Sequence, residues 1–136
     1  PKKTRIRGEI VRVVPYVLIL FILLTGYGVY NVYYLTKTST VMDEILKELE
    51  NVVIKEDWDM AEDQLNKFIK KWGENKTYWS VLINHSEIDN IEQSIERLKR
   101  YIKLQDSLEA SAETAGLKYY VLHIPENGRL SIENIF

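Results

Sequence analysis

The sequence predicts an all-α protein: one N-terminal transmembrane helix, then an antiparallel bundle of four or five amphipathic helices, then an extended C-terminal tail. Two observations carry the prediction. Residues 13–36 contain no charged side chain, and the segments beyond them place apolar residues three and four apart between polar corners. The chain has no cysteine, so no disulfide or thiolate metal site is available and the outer part must hold by its apolar core.

The first element, residues 1–12, is a basic tail with Lys2, Lys3, Arg5, Arg7 and Arg12 against Glu9. The second is the uncharged run Val13 to Thr36. As a helix its roughly two dozen residues extend about 36 Å, enough to cross a hydrocarbon core of about 30 Å with some tilt. The roughly 100 residues that follow are too few to enclose such a helix in a soluble core. A cleaved secretory signal has an apolar region of about 7 to 15 residues and a small-residue cleavage site, so the run is expected to be an uncleaved anchor. Pro15 is expected in the first turn of the span, where a missing N–H costs least. Tyr16 lies near one end, and Tyr27, Tyr30, Tyr33 and Tyr34 near the other, where amphipathic rings favour the headgroup layer. The basic tail predicts a cytoplasmic N-terminus, with residues 37–136 outside the cell membrane. Gly26 and Gly28 are a close-packing site for a partner helix, or glycine that membrane helices tolerate.

Residues 37–124 form the predicted bundle. Thr40 reads as a helix cap followed by Val41, Ile45, Leu46, Leu49, Val52 and Val53 at helical spacing. Asp57 caps a second stripe of Trp58, Ala61, Leu65, Phe68, Ile69 and Trp72, with Gly73 as its stop. The polar corner 74–77 precedes a short helix through Tyr78, Trp79, Val81, Leu82 and Ile83. Ser86 with Asp89 reads as a capping box for Ile88, Ile91, Ile95, Leu98 and Ile102. Beyond Gln105 and Asp106 the stripe resumes at Leu108, Ala112, Ala115, Tyr119 and Leu122. Trp58, Trp72 and Trp79 are expected in the core, each burying on the order of 200 Å².

Residues 125–136 are read as an extended tail. Tyr119 to Ile124 is β-prone, and the Pro-Glu-Asn-Gly sequence at 125–128 is able to turn it into a hairpin with Leu130 to Ile132. Helix through Ile124 is favoured, because an isolated hairpin is marginally stable. The apolar pair Ile135 and Phe136 either docks on its own bundle or enters a partner's groove.

The charges divide unevenly. The tail carries about +4, and since the whole chain carries −2, the remainder carries about −6. With no basic face, nucleic acid is not expected as a partner. The cluster around His85, Asp89 and Glu92 puts an imidazole and two carboxylates on one helix face at i, i+4 and i+7, a weak candidate for a metal. The simpler reading is a helix corner whose acidic first turn complements the helix dipole. No nucleophile elbow, phosphate-binding glycine loop or zinc-helix motif is present, so no catalytic residue, cofactor or enzymatic activity is expected. Pairs such as Asp63 with Lys67 and Glu96 with Arg100 read as surface ion pairs.

The chain resembles an uncharacterised domain-of-unknown-function family of clostridia and related spore-forming bacteria. The resemblance lies in the basic start and single span, Glu56-Asp57-Trp58 with Lys71-Trp72, His85-x-Glu87-Ile88-Asp89, Tyr101-Ile102 and the closing residues 131–136. It implies a small membrane-anchored helical protein, often encoded beside a multi-spanning membrane protein, with no assigned activity. The expected function is therefore a non-enzymatic single-pass accessory or scaffold subunit. It would contact lipid and a multi-spanning membrane partner through Gly26, Gly28, Tyr30, Ile135 and Phe136. Self-association through the glycines is a further possibility, and an extracytoplasmic ligand- or metal-sensing module is the alternative.

Overall fold

A computed structural model describes the backbone of residues 2–133 and the side chains of residues 12–125. Four helices follow one another: α1 (Lys2–Ile54), α2 (Trp58–Leu82), α3 (His85–Lys103) and α4 (Ser107–Glu133). Among the described residues there is no strand, which disposes of the hairpin. The chain divides into two compact units, residues 1–33 and 34–136.

The first unit is the N-terminal part of α1. It contains a helix long and apolar enough to cross a membrane. The large apolar side chains from Val13 to Leu24 are each between 48% and 73% exposed, so this is not the hidden core helix of a soluble fold. Thr25 donates its hydroxyl to the Phe21 carbonyl at 2.8 Å, satisfying its one polar group on its own helix. Pro15 is not at a helix start, as expected, because the basic segment before it is also helical. It stands inside α1 and leaves the carbonyl four residues back without its helical donor.

The second unit packs the remainder of α1 with α2, α3 and α4 around a common core. Thr40 does not start a helix. Its hydroxyl bonds back to the Thr36 carbonyl at 2.9 Å in mid-helix, so the apolar run and the first bundle helix belong to the same helix, α1. Gly73 does not stop α2, which continues to Leu82. Of the four or five bundle helices expected, the described residues form four, one of them shared with the apolar segment.

Three tight connections join them, and two are built alike. At the end of α1, Glu56 N–H bonds to the Val53 carbonyl and Asp57 N–H to Val52, both at 3.0 Å. At the end of α3, Gln105 N–H bonds to Ile102 and Asp106 N–H to Tyr101, also at 3.0 Å. Both are Schellman closures with a non-glycine residue in the left-handed region, φ 56° at Glu56 and 55° at Gln105. In each, the next residue caps the following helix: Asp57 Oδ1 accepts from Met60 N–H at 3.2 Å, and Asp106 Oδ1 from Glu109 N–H at 3.1 Å. The third connection uses extended Ile83 and the N-cap Asn84, whose Oδ1 accepts from Ser86 N–H at 3.1 Å. Asn84, not Ser86, therefore caps α3.

The core draws Met42, Leu46, Leu49 and Val53 from α1 and Ala61, Leu65, Phe68, Trp72 and Trp79 from α2. From α3 come Ile88, Ile91, Ile95, Leu98 and Ile102, the full stripe read from the sequence. α4 turns a different face inward from the one expected. Ala110, Thr114, Leu117, Val121 and Ile124 are buried, whereas Leu108 is 78% and Tyr119 59% exposed. This helix is apolar or small on nearly every side, so its periodicity does not single out one face. Trp58 is only half-buried at the start of α2.

The expected extended tail is also revised, because the α4 backbone stays helical through Pro125 to Glu133. Pro125 supplies no N–H to the Val121 carbonyl, its normal helical acceptor. Ser39 of α1 takes that place, donating its buried hydroxyl to Val121 O at 2.6 Å. A side chain on a neighbouring helix thus completes the broken ladder and fixes α4 against α1.

Candidate interaction surfaces

At the end of the second unit where residue 34 enters it, aromatic and polar groups form one network. The Tyr34 hydroxyl donates to Asn75 Oδ1, and Asn75 Nδ2 donates to the Lys71 carbonyl at 2.7 Å. Trp79 Nε1 donates to Thr38 Oγ1 at 3.1 Å, and the Thr38 hydroxyl in turn donates a hydrogen bond to the Tyr34 carbonyl at 2.9 Å. The Tyr34 and Tyr78 rings meet edge-on at 4.5 Å, and Trp72 and Trp79 meet at 5.6 Å and 90°. Sequence reasoning placed Asn75 in a polar corner. It lies three residues after Trp72 and four before Trp79, so the helical spacing that marks it as inward was present but masked by its polar neighbours.

Some of the ionic contacts tie helix to helix. Arg97 donates from Nε and Nη2 to the two oxygens of Glu113, each at 2.9 Å, and Ser94 donates to the same carboxylate. Burial pushes the Glu113 carboxyl up, but the hydrogen bonds from Arg97 and Ser94 together outweigh it and hold the group below the usual range. Lys118 bridges α4 to Glu50 of α1 at 2.6 Å. Asp43 is buried, with one oxygen on Lys47 at 2.6 Å and the other without a partner.

The candidate metal face is taken up differently. Glu92 pairs with Lys76 of α2, and that hydrogen bond, with the nearby indole N–H of Trp72, lowers its pKa. The indole approaches without reaching hydrogen-bonding geometry. His85 and Asp89 are exposed, and among the described residues no three His, Asp or Glu side chains converge as a metal site. His123, the other imidazole, stacks on Tyr119 at 3.9 Å and contacts the Tyr119 carbonyl through Nδ1 at 2.9 Å. Glu96 pairs with Lys99, at 2.6 Å.

Of the expected partner-binding residues, Gly26 and Gly28 face open space, with nothing within 4 Å of a Cβ added to either. Tyr30 is 57% exposed. Ile135 and Phe136 lie outside the described residues. Within the bundle, exposed large apolar side chains include Ile54, Leu104 and Leu108 by the Schellman turns, Val81 at the α2–α3 turn, and Val41, Tyr119 and Leu122 along α1 and α4. A shallow cleft of about 560 Å³ lies between α2 and α3, with Trp58, Glu62, Lys99 and Lys103 on its wall.

The family model of a domain of unknown function, DUF4363, matches residues 29–135. The match takes in nearly all of the helical bundle and only the last part of the apolar segment. No curated protein and no solved structure matches the chain.

Proposed function

We propose that this chain, which belongs to the DUF4363 family of domains of unknown function, is a non-enzymatic single-pass membrane subunit that binds or steadies a multi-spanning membrane protein. The observation that carries the proposal is the run of exposed apolar side chains from Val13 to Leu24 on a helix that continues without a break into the bundle. The basic residues before the span put the N-terminus in the cytoplasm and the bundle outside. Gly26, Gly28 and Tyr30 form the membrane-level contact, where open glycine faces let a partner helix approach closely. Ile135 and Phe136 form the second. The Lys, Glu, Ile, Asn and Tyr bias of the sequence fits an AT-rich genome and a clostridial, spore-forming source. Affinity purification from native membranes in mild detergent tests the role: a multi-spanning protein should co-purify and be lost from the Gly26→Leu/Gly28→Leu variant. Recovery of the chain alone, or only with copies of itself, overturns it.

The second reading, an extracytoplasmic sensing module, draws on the cleft beside Trp58, where an aromatic face meets both ammonium and carboxylate groups. Such a lining suits a small zwitterion. Equilibrium dialysis of the purified chain against amino acids decides it, and absence of stoichiometric uptake ends it.

A further inference from the structure

On their outer sides α2 and α3 carry charge, with Glu62, Lys67, Glu96 and Arg100 all exposed. α4 departs from that pattern. Among its residues with described side chains, the exposed ones are Leu108, Glu109, Ala112, Ala115, Tyr119 and Leu122, and only Glu109 is charged. The apolar ones are the stripe that the sequence spacing marks, and they lie on the side opposite the buried Ala110, Leu117, Val121 and Ile124. α4 therefore has two apolar faces, one in the core and one outside it, and an apolar helix face of this kind is ordinarily covered by another element.

The spacing from Leu108 to Leu122 runs four, three, four, three, the repeat of a coiled-coil seam with Leu108, Ala115 and Leu122 at one core position and Ala112 and Tyr119 at the other. Size then decides what fits. Against a second copy in parallel, each residue meets itself, so alanine faces alanine and Tyr119 faces Tyr119, a hollow beside a bulge. In antiparallel, with Ala115 level with Tyr119 of the other copy, Ala112 falls level with Leu122, and the two-fold axis repeats both layers. Every layer then sets a large side chain on a small one. Leu108 lies just beyond the outermost layer.

The flanks agree with this register. Glu109 of one copy comes level with His123 of the other, a carboxylate beside an imidazole. Gly116 passes its own copy at the two-fold axis, and a Cβ added there has nothing within 4 Å in the single chain. On the other flank Lys118 brings its own counter-ion, Glu50 at 2.6 Å, so two bare ammonium groups do not meet.

We infer that the outer face of α4 is a self-association surface, pairing antiparallel with the same face of a second copy through Ala112, Ala115, Tyr119 and Leu122. The inference goes beyond the accessory role proposed above and does not rest on it. A seam from Ala112 to Leu122 rises only about 15 Å along the helix, so the pairing belongs to the transient class of interfaces.

The chain has no cysteine, so single introduced thiols report the register directly. Ala112→Cys, Gly116→Cys and Leu122→Cys, with Lys67→Cys on α2 as the control, are made in the full chain, purified in mild detergent and oxidised. The expected result is a disulfide dimer of Gly116→Cys forming severalfold faster than that of Lys67→Cys. Ala112→Cys and Leu122→Cys should each cross-link no faster than the control alone, but should join to each other when mixed. Ala115→Glu, added to Gly116→Cys, should reduce the dimer severalfold while circular dichroism shows the helix content unchanged. Fast cross-linking of Ala112→Cys or Leu122→Cys with itself means a parallel pair and overturns the inference. Gly116→Cys at the control rate in a folded chain, or a dimer unaffected by Ala115→Glu, also overturns it.

Discussion

Ser39 and Pro125 show how one residue's deficiency is met by another far away in sequence. Proline removes the donor that Val121 O needs, and the Ser39 hydroxyl supplies it in a buried setting. Ser39→Ala should cost about 1–3 kcal/mol, the usual penalty for an orphaned buried acceptor. In the Ser39→Ala/Pro125→Ala pair, the restored N–H serves Val121, so chemical denaturation should show a loss smaller than the sum of the single effects. Strict additivity contradicts the coupling. Glu113 offers a second residue-level test. Its folded pKa lies below the ordinary value of 4.5, so its contribution is complete above that pH and is lost as pH falls through the folded value. Glu113→Gln should therefore flatten the decline in melting temperature below about pH 4.5; an unchanged acid limb contradicts the assignment. Neither site was legible in the sequence. A serine on one helix and a proline on another carry no mark of their pairing, and Arg97 with Glu113 joins two helices whose facing sides only packing decides.

At the scale of the element, legibility tracked how sharply the apolar residues were confined to one face. The apolar stripe of α3, with isoleucine and leucine on one side and charges on the other, was read in full, although its cap is Asn84 and not Ser86. α4 was misread in phase because alanine, tyrosine and leucine surround it, and its buried face includes Thr114, whose hydroxyl bonds to the Ala110 carbonyl at 2.7 Å. Gly73 and Thr40 misled because each fits a helix end by type, although packing on both sides kept the helix going. Gly73 is exposed in mid-helix, with open space where a Cβ would stand. Gly73→Ala should stabilise the protein by about 0.5–1 kcal/mol, whereas a true helix stop would lose stability. The opposite substitution belongs at the Schellman turn: Gln105→Gly relieves a left-handed residue and should gain about 1 kcal/mol. Thermal unfolding by circular dichroism reads both, and a loss in either variant refutes the corresponding backbone assignment.

For the whole molecule, the governing feature is a change of exposure along α1. The same α1 that exposes Val13 to Leu24 buries Met42, Leu46, Leu49 and Val53 farther on. Its first stretch suits acyl chains and its second suits a protein core. The charge asymmetry agrees, with a basic segment before the apolar run and an acidic domain after it. The most direct measurement is impermeant maleimide labelling of intact cells carrying the full chain with one introduced cysteine, either Lys3→Cys or Leu108→Cys. Labelling at position 108 with protection at position 3 until the cells are opened is the predicted result. Protection at 108, or recovery of the chain in the soluble fraction without detergent, would contradict it.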